Sequence, residues 1–324
     1  MTIYVGQNIR SLRIRRQISQ EDLAASVGVT VQAISKWETG KANPDIMLLP
    51  KLAEYFGVTL DHLFFVNETD HLLSEDSARE LQHNADWWAG ISEEDLKTTA
   101  LPNYGLFTPT EETLCLFGDV RGKNVLELGC GRGESLVWMK QRGAAEVWGL
   151  DISAEQIRRA KRLMADTGTD ARLFTSPMEL NPGLPQRYFD FVFAIYSIGW
   201  SMDLDKTILQ ISEYLKPGGR LVFAWDNPLM QCISAHGGQY ILSRSYVTEQ
   251  DILFSNNDDD FCLHNWKLST YLNCLADHGF VLERLVEESA YDEKDADVFT
   301  EGSFYSAHRA RLLNPSFIVK ARRS

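Results

Sequence analysis

Two short stretches carry the residues best suited to chemistry, VLELGCGRGES at 125–135 and GLDIS at 149–153. Gly129, Gly131 and Gly133 alternate along the first. Without Cβ atoms they allow a tight turn and let a ligand lie against backbone N–H groups at the start of a helix. Asp151 stands eighteen residues after Gly133 at the tip of the next strand, where its carboxylate can accept hydrogen bonds from a ribose diol. Both features suit any adenosine-containing cofactor. Charge excludes a dinucleotide: its fingerprint needs glycine at position 134, which is Glu134, and Glu127 adds a second carboxylate beside the loop. Two carboxylates repel a pyrophosphate and attract the cationic amine and sulfonium of S-adenosylmethionine (SAM). SAM is therefore the expected cofactor.

The surrounding elements must bring the loop and the strand tip together. From Lys123 strands and helices alternate, which predicts a parallel sheet with crossover helices. Strand NVLELGC runs into the glycine loop and helix ESLVWMKQRG, and strand EVWGLDIS into helix AEQIRRAKRLMADTG. ARLFTS, FDFVFAIYS and GRLVFAW follow, the last after a turn at Lys216-Pro217-Gly218-Gly219, and FVLERLVEE and PSFIVKARR close the set. Seven mostly parallel strands make an α/β, Rossmann-like domain over residues 101–324.

In these motifs residues 101–324 resemble the class I SAM-dependent methyltransferases. VLELGCGRGES is similar to that family's first motif, GLDIS to its second, and LKPGGRLVFAW to the stretch leading into its fifth strand. YGLFTPTEE, SPMELNPGLP and YSIGW resemble a bacterial group of these enzymes with poorly defined substrates. The resemblance implies a cofactor set of Tyr104, Glu127, Gly129, Gly131, Asp151, Ile152, Pro177, Met178 and Tyr196. Within it Glu127, Gly129 and Gly131 would hold the methionine part, Asp151 and Ile152 the ribose and adenine edge, and Met178 the adenine. Tyr196, at the exit of the fourth strand, would line the methyl-transfer site. Many family members carry aspartate where Ser176 or Pro177 stands, so a backbone carbonyl or Glu179 would have to meet the adenine amino group here.

Methyl transfer is an in-line displacement in which positioning and desolvation supply much of the acceleration. The acceptor is accordingly less legible than the donor. A DNA base is disfavoured: Ile195-Tyr196-Ser197-Ile198 replaces the (D/N/S)PP(Y/F/W) of amino-methylating DNA enzymes and the Pro-Cys of cytosine-C5 enzymes. Asp226-Asn227-Pro228-Leu229 lacks the second proline and the aromatic, and Cys130 reads as a small loop residue. A small-molecule acceptor fits better, enclosed by aromatics drawn from Tyr196, Trp200, Trp225, Tyr240, Trp266 and Tyr305. Tyr196, His236 and Asp226 are the candidate catalytic residues, His236 in a loop with Gly237-Gly238.

The first sixty-six residues are a different object. Apolar residues recur at helical spacing, and Ser19, Thr30, Pro44-Asp45 and Thr59 each open a helix, which predicts five short helices. In SQEDLAASVGVTVQAISKWETGKANP, Gly28 makes the turn and Thr30 caps a second helix whose inner face carries Ala33, Ile34 and Trp37. Gln20, Thr30, Gln32, Ser35 and Lys36 are left to meet DNA backbone and base edges. QAISKWETG at 32–40 matches Q-x-(I/V)-S-x-W-E-x-G and resembles the Cro/repressor-like (XRE) helix-turn-helix family, which implies double-stranded DNA as partner and a homodimer.

Charge agrees with this division. The chain carries −13 in all, whereas residues 1–43 carry a net +3, so the remainder stands at −16. Residues 67–100 are acidic and read as a helical linker or lid, with Leu81, Ala85 and Trp88 on one face and Trp87-Trp88 packing it on the second domain. The N-terminus lacks the apolar core of a signal peptide, and no stretch approaches a membrane span. Five cysteines without CxxC pairing indicate neither a metal site nor a disulfide framework, and a reducing cytoplasm is expected.

Overall fold

The computed structural model describes residues 5–15, 18–39, 41–56, 58, 60, 63, 75–91, 102–256 and 259–324. The chain divides into two compact units, residues 1–74 and 75–324. In the first, helices α1 (Val5–Arg15), α2 (Gln20–Val27), α3 (Val31–Glu38) and α4 (Leu49–Tyr55) enclose Ile9, Leu23, Ile34, Leu52 and Phe56. Helix starts follow the capping residues in the sequence. Ser19 accepts from the Asp22 N–H at 3.0 Å and Thr30 from the Ala33 N–H at 3.2 Å. Asp45 caps a short 3₁₀ turn, Ile46–Leu48, that leads into α4. Most of the fifth helix expected from Thr59 lies outside the described residues, as does position 40 of the QAISKWETG motif. The buried Glu38 carboxylate ties three helices together, accepting from Arg13 Nε (2.6 Å), Arg13 Nη2 (2.9 Å) and Gln20 Nε2 (2.7 Å).

The second unit opens with α5 (Glu75–Gly90), and its helices continue as α6 (Glu111–Leu114), α7 (Glu134–Gln141), α8 (Ala154–Thr167), α9 (Leu204–Tyr214), α10 (Leu268–Asp277), α11 (Glu293–Ala296) and α12 (Ala307–Leu312). Its sheet is built from β1 (Asn124–Leu128), β2 (Glu146–Asp151), β3 (Arg172–Thr175), β4 (Phe189–Ile195), β5 (Leu215–Asp226), β10 (Phe280–Val286) and β11 (Ser316–Arg323), with β6 (Ile233–His236), β7 (Gln239–Leu242), β8 (Asp251–Asn256) and β9 (Asp259–His264) outside it. The strand order is β10-β11-β5-β4-β1-β2-β3, parallel from β3 to β5 and antiparallel at β11 and β10. This is the expected seven-stranded, mostly parallel sheet. Alternation along the strands fills both faces: Leu126, Val192 and Phe223 join one core, and Val125, Phe191 and Val222 the other.

Two local differences from the sequence reading have simple causes. Lys216-Pro217-Gly218-Gly219 is no free turn but lies within β5, where pairing slips from Phe189–Leu215 to Phe191–Arg220 and the extra residues bulge out. The Gly237-Gly238 loop is the two-residue turn of the β6–β7 hairpin, with φ of +59° and +75° that side-chain-bearing residues resist. The helical middle of the expected linker is α5, which belongs to the second unit and packs on β9 and α8. Residues 67–74 and 92–100 of that segment lie outside the described residues.

Candidate active site

The strand order reverses between β1 and β4, so a crevice opens beyond their carboxyl ends. Ser197 closes its floor by donating from Oγ to the Leu128 carbonyl at 2.6 Å, which ties the exit of β4 to the exit of β1. Gly129 sits between them at φ +66°, and a Cβ there would lie 2.3 Å from Ser197 Cβ. Only glycine fits that approach. The Gly131 N–H donates to Asp151 Oδ2 (2.8 Å) and the Ser153 N–H to Asp151 Oδ1 (2.9 Å), so the β2 tip holds the glycine loop in shape.

Over this floor lies a cavity of about 590 Å³. That is ample for a cofactor-sized ligand. Its walls contain Glu127, Gly129, Gly131, Asp151, Ile152, Pro177, Met178 and Tyr196 of the expected cofactor set. Tyr104 is a correction: it is fully buried, donates to Glu111 Oε2 at 2.5 Å, and stays in the core while its neighbours Asn103, Gly105 and Leu106 line the wall.

The electrostatics of the wall favour a cation. Burial, with the nearby charges of Glu134 and Asp151, pushes the Glu127 carboxyl well above the carboxylate range. Burial raises Asp151 to about 6 against the opposing N–H bonds of Ser153 and Gly131, and raises Glu179 as well. Buried carboxyls whose ionisation is disfavoured regain it when a positive group arrives. The structure offers that group a place: Glu127 Oε2 is buried with no hydrogen-bond partner among the described residues, and so are Gln156 Oε1 and Glu179 Oε2. All three residues line this one cavity. Glu179 Oε1 is occupied by the Ser201 hydroxyl and the Met202 N–H, which leaves Oε2 as an acceptor where the family's aspartate is missing. The unpartnered Glu127 oxygen, the glycine cradle and Asp151 suit an amine, a close backbone approach and a diol, which are the parts of SAM. Burial likewise raises the Cys130 thiol well above its usual value, which disfavours the thiolate that a nucleophile needs.

Helix α5 forms the opposite wall through Leu81, Asn84 and Trp88. The Asn84 amide donates to the Cys262 carbonyl and accepts the Cys262 N–H, both at 2.9 Å, as a β-strand residue would. The C-terminal end is held by α8: Gln156 donates to the Trp88 carbonyl (2.9 Å) and Arg159 to that of Ile91 (2.8 Å). Trp87, Trp88, Trp200 and Phe261 pack with centroid separations of 4.5–5.5 Å. Sequence reasoning placed the tryptophan pair on this domain but missed Asn84 and Gln156, which no spacing distinguishes from ordinary surface amides.

Of the candidate catalytic residues, the structure brings together Tyr196 and Asp226 and leaves His236 out. Tyr196 lines the cavity and donates to Asp226 Oδ1 at 2.8 Å, and Tyr305, also on the wall, donates to the same oxygen at 2.6 Å. His236 is 82% exposed at the hairpin turn and faces Glu301 at 3.2 Å, and the cavity lining includes no residue of that hairpin. Of the remaining aromatics, Trp200 lines the cavity, Trp225 packs behind Trp200 and Tyr196, Tyr240 packs on His308, and Trp266 donates to the Ser201 carbonyl. Away from the cavity, Asp205, Cys274 and His278 bring one ligand atom each within 4.8 Å of one another. His278 and Asp205 pair there at 2.8 Å.

On α3, Ile34 and Trp37 are buried, Thr30, Gln32 and Lys36 are exposed, and Ser35 is partly so. Gln20 differs from the expectation, since its amide nitrogen is committed to Glu38. Among the described residues no helix is long and apolar enough to cross a membrane.

Comparison with known proteins agrees with both units. Residues 107–285 match a family model described as a methyltransferase domain, and residues 9–63 one described as helix-turn-helix. Aklanonic acid methyltransferase DauC of Streptomyces sp. (strain C5) is 31% identical over 121 residues, covering 36% of this chain and 54% of that protein. HTH-type transcriptional activator BcrR of Enterococcus faecalis is 32% identical over 103 residues, covering 31% of this chain and 50% of that protein. The chain spans about half the length of the curated relatives it matches. The crystal structure of an S-adenosylmethionine dependent methyltransferase from Mesorhizobium loti shares the fold, with a TM-score of 0.54, 23% identity and coverage of 65% of this chain and 96% of that one.

Proposed function

We propose, from the premise that this chain belongs to the methyltransferase domain family and carries a helix-turn-helix, that it methylates a small, largely apolar molecule and binds DNA through residues 1–66. The enzyme is SAM-dependent, and SAM supplies an electrophilic methyl group. The observation that carries the reading is Glu127 Oε2, a buried and unpartnered carboxylate oxygen in a glycine-floored cavity at the switch point. Glu127 and the Gly129–Gly131 backbone would hold the methionine part, Asp151 and Ile152 the ribose, and Pro177, Met178 and Glu179 the adenine. Trp88 and Trp200 exclude water from the remaining space and present flat apolar faces to the acceptor.

Thr30, Gln32, Ser35 and Lys36 would enter a major groove, with two copies of the chain reading half-sites about one helical turn apart. Transcriptional control of the gene that supplies the enzyme is the simplest purpose of that union. Incubation with labelled SAM and a metabolite extract tests the proposal: a labelled small product is expected, and SAM binding without any product overturns turnover. A second reading, a SAM- or metabolite-sensing regulator with little turnover, draws on α5, which follows the DNA-binding unit in sequence and walls the cavity. It requires DNA affinity to change when SAM is added.

A further inference from the structure

We propose that the acceptor's reacting group is a hydroxyl on a flat apolar ring system, and that Tyr305 takes its proton and relays its own to Asp226. This rests on the SAM-dependent reading above. Three elements converge to build the relay. Tyr196 follows β4 at the switch point, Tyr305 leads into α12, and Asp226 ends β5 with 6% exposure. Both phenols line the cavity, and both aim their hydrogens away from it at Asp226 Oδ1. Ser316 Oγ meets the Tyr196 oxygen at 2.5 Å, and the Tyr305 hydroxyl lies beside it, so in this proposal Tyr305 is the phenol whose oxygen meets the ligand.

A wall that presents acceptors needs a ligand that presents a donor. Trp88, Trp200 and Leu81 on the same wall select a planar apolar body to carry it. Among donors, a hydroxyl has to lose its proton as its oxygen is alkylated, and a buried carboxylate one phenol away is where that proton can go. Burial holds Asp226 near 6, a stronger base than an ordinary carboxylate, while the Tyr305 and Tyr196 hydrogen bonds and the Arg309 charge keep it ionised at neutral pH. Arg309 is fixed for this by the carbonyls of Met230, Ile233 and Phe304. The balance of the step is complete. The acceptor oxygen bonds to the methyl carbon as the methyl–sulfur bond breaks and its electron pair stays on sulfur. The hydroxyl proton passes to the Tyr305 oxygen and the Tyr305 proton to Asp226, which later loses it to water. Tyr305 is thus a catalytic residue, and Asp226 acts through it.

The test uses the full chain with 2-naphthol, 2-methylnaphthalene and 2-naphthylamine. With S-adenosylhomocysteine present and tryptophan fluorescence as the readout, 2-naphthol is expected to bind about tenfold tighter than its methyl isostere, and Tyr305→Phe to erase that preference. With SAM, label is expected on 2-naphthol and not on the amine, falling about 100-fold in Tyr305→Phe while SAM affinity stays unchanged. The rate with 2-naphthol should climb through about pH 6 and level off, and Asp226→Asn should flatten that profile. Equal or absent binding of naphthol and methylnaphthalene, a preference that survives Tyr305→Phe, or methylation of the amine overturns the proposal. Failure of SAM itself to bind overturns the enzyme reading beneath it.

Discussion

Glu127 combines full burial with an oxygen that finds no hydrogen-bond partner among the described residues. An unpaired buried carboxylate is costly, and it persists where a ligand completes it. Glu127→Gln keeps the shape and removes the charge, so SAM affinity by calorimetry is expected to fall by about 10- to 100-fold with the fold intact. Affinity should also rise with pH, because the raised Glu127 must ionise before it can hold an amine. Asp226 gives a stability prediction of defined sign. Its folded value of about 6 stands above the ordinary 3.8, so its contribution is fully present below pH 3.8 and is lost as pH rises through 6. The loss is about 3 kcal/mol at neutral pH, taking ~1.4 kcal/mol per unit. Asp226→Asn carries no such charge, and its ligand-free Tm is expected to exceed the parent's by a margin that widens from pH 5 to pH 8. At this scale the motifs pointed to Glu127, Gly129, Gly131 and Asp151, and all four line the cavity. The sequence misjudged Tyr104 and His236, because whether a side chain faces a cavity or a hairpin tip depends on strand pairings far away in the chain.

Elements carry the second level of control. The Asn84 side chain occupies the backbone hydrogen-bonding positions of Cys262 on β9, and this holds α5 as a wall. Asn84→Leu strands a buried N–H and a buried carbonyl, at about 2–6 kcal/mol for the pair. The expected result is faster amide exchange across residues 75–90 and weaker SAM binding, with exchange in β1 and β4 unchanged. Helices and parallel strands were legible because capping residues and apolar periodicity are local. Ser19 and Thr30 cap α2 and α3 as their types demand. The β6–β7 and β8–β9 hairpins and the bulge at Pro217-Gly218 were not, since each is defined by its partner strand rather than by its own composition.

The whole molecule joins a basic head to an acidic body, +3 over residues 1–43 against −16 over the rest. DNA binding by such a chain should depend steeply on salt, with log affinity falling linearly in log salt at a slope of about −0.9 for each phosphate neutralised. Lys36→Ala should reduce the magnitude of that slope by about one without changing SAM affinity. Competition by salt titration checks this, and a slope unaltered by the substitution would remove Lys36 from the phosphate contacts.

The fastening of α5 by Asn84, Gln156 and Arg159 bears on how the protein can be dissected. A fragment begun at residue 101, the domain start expected from the sequence, would leave behind Leu81, Asn84 and Trp88 and remove one wall of the cavity. It would also bare Trp200 and Phe261, now covered by Trp87, to solvent and to other copies of itself. A fragment begun at residue 75 keeps that wall. The compact unit that holds the cavity thus begins some twenty-five residues before the domain start expected from the sequence.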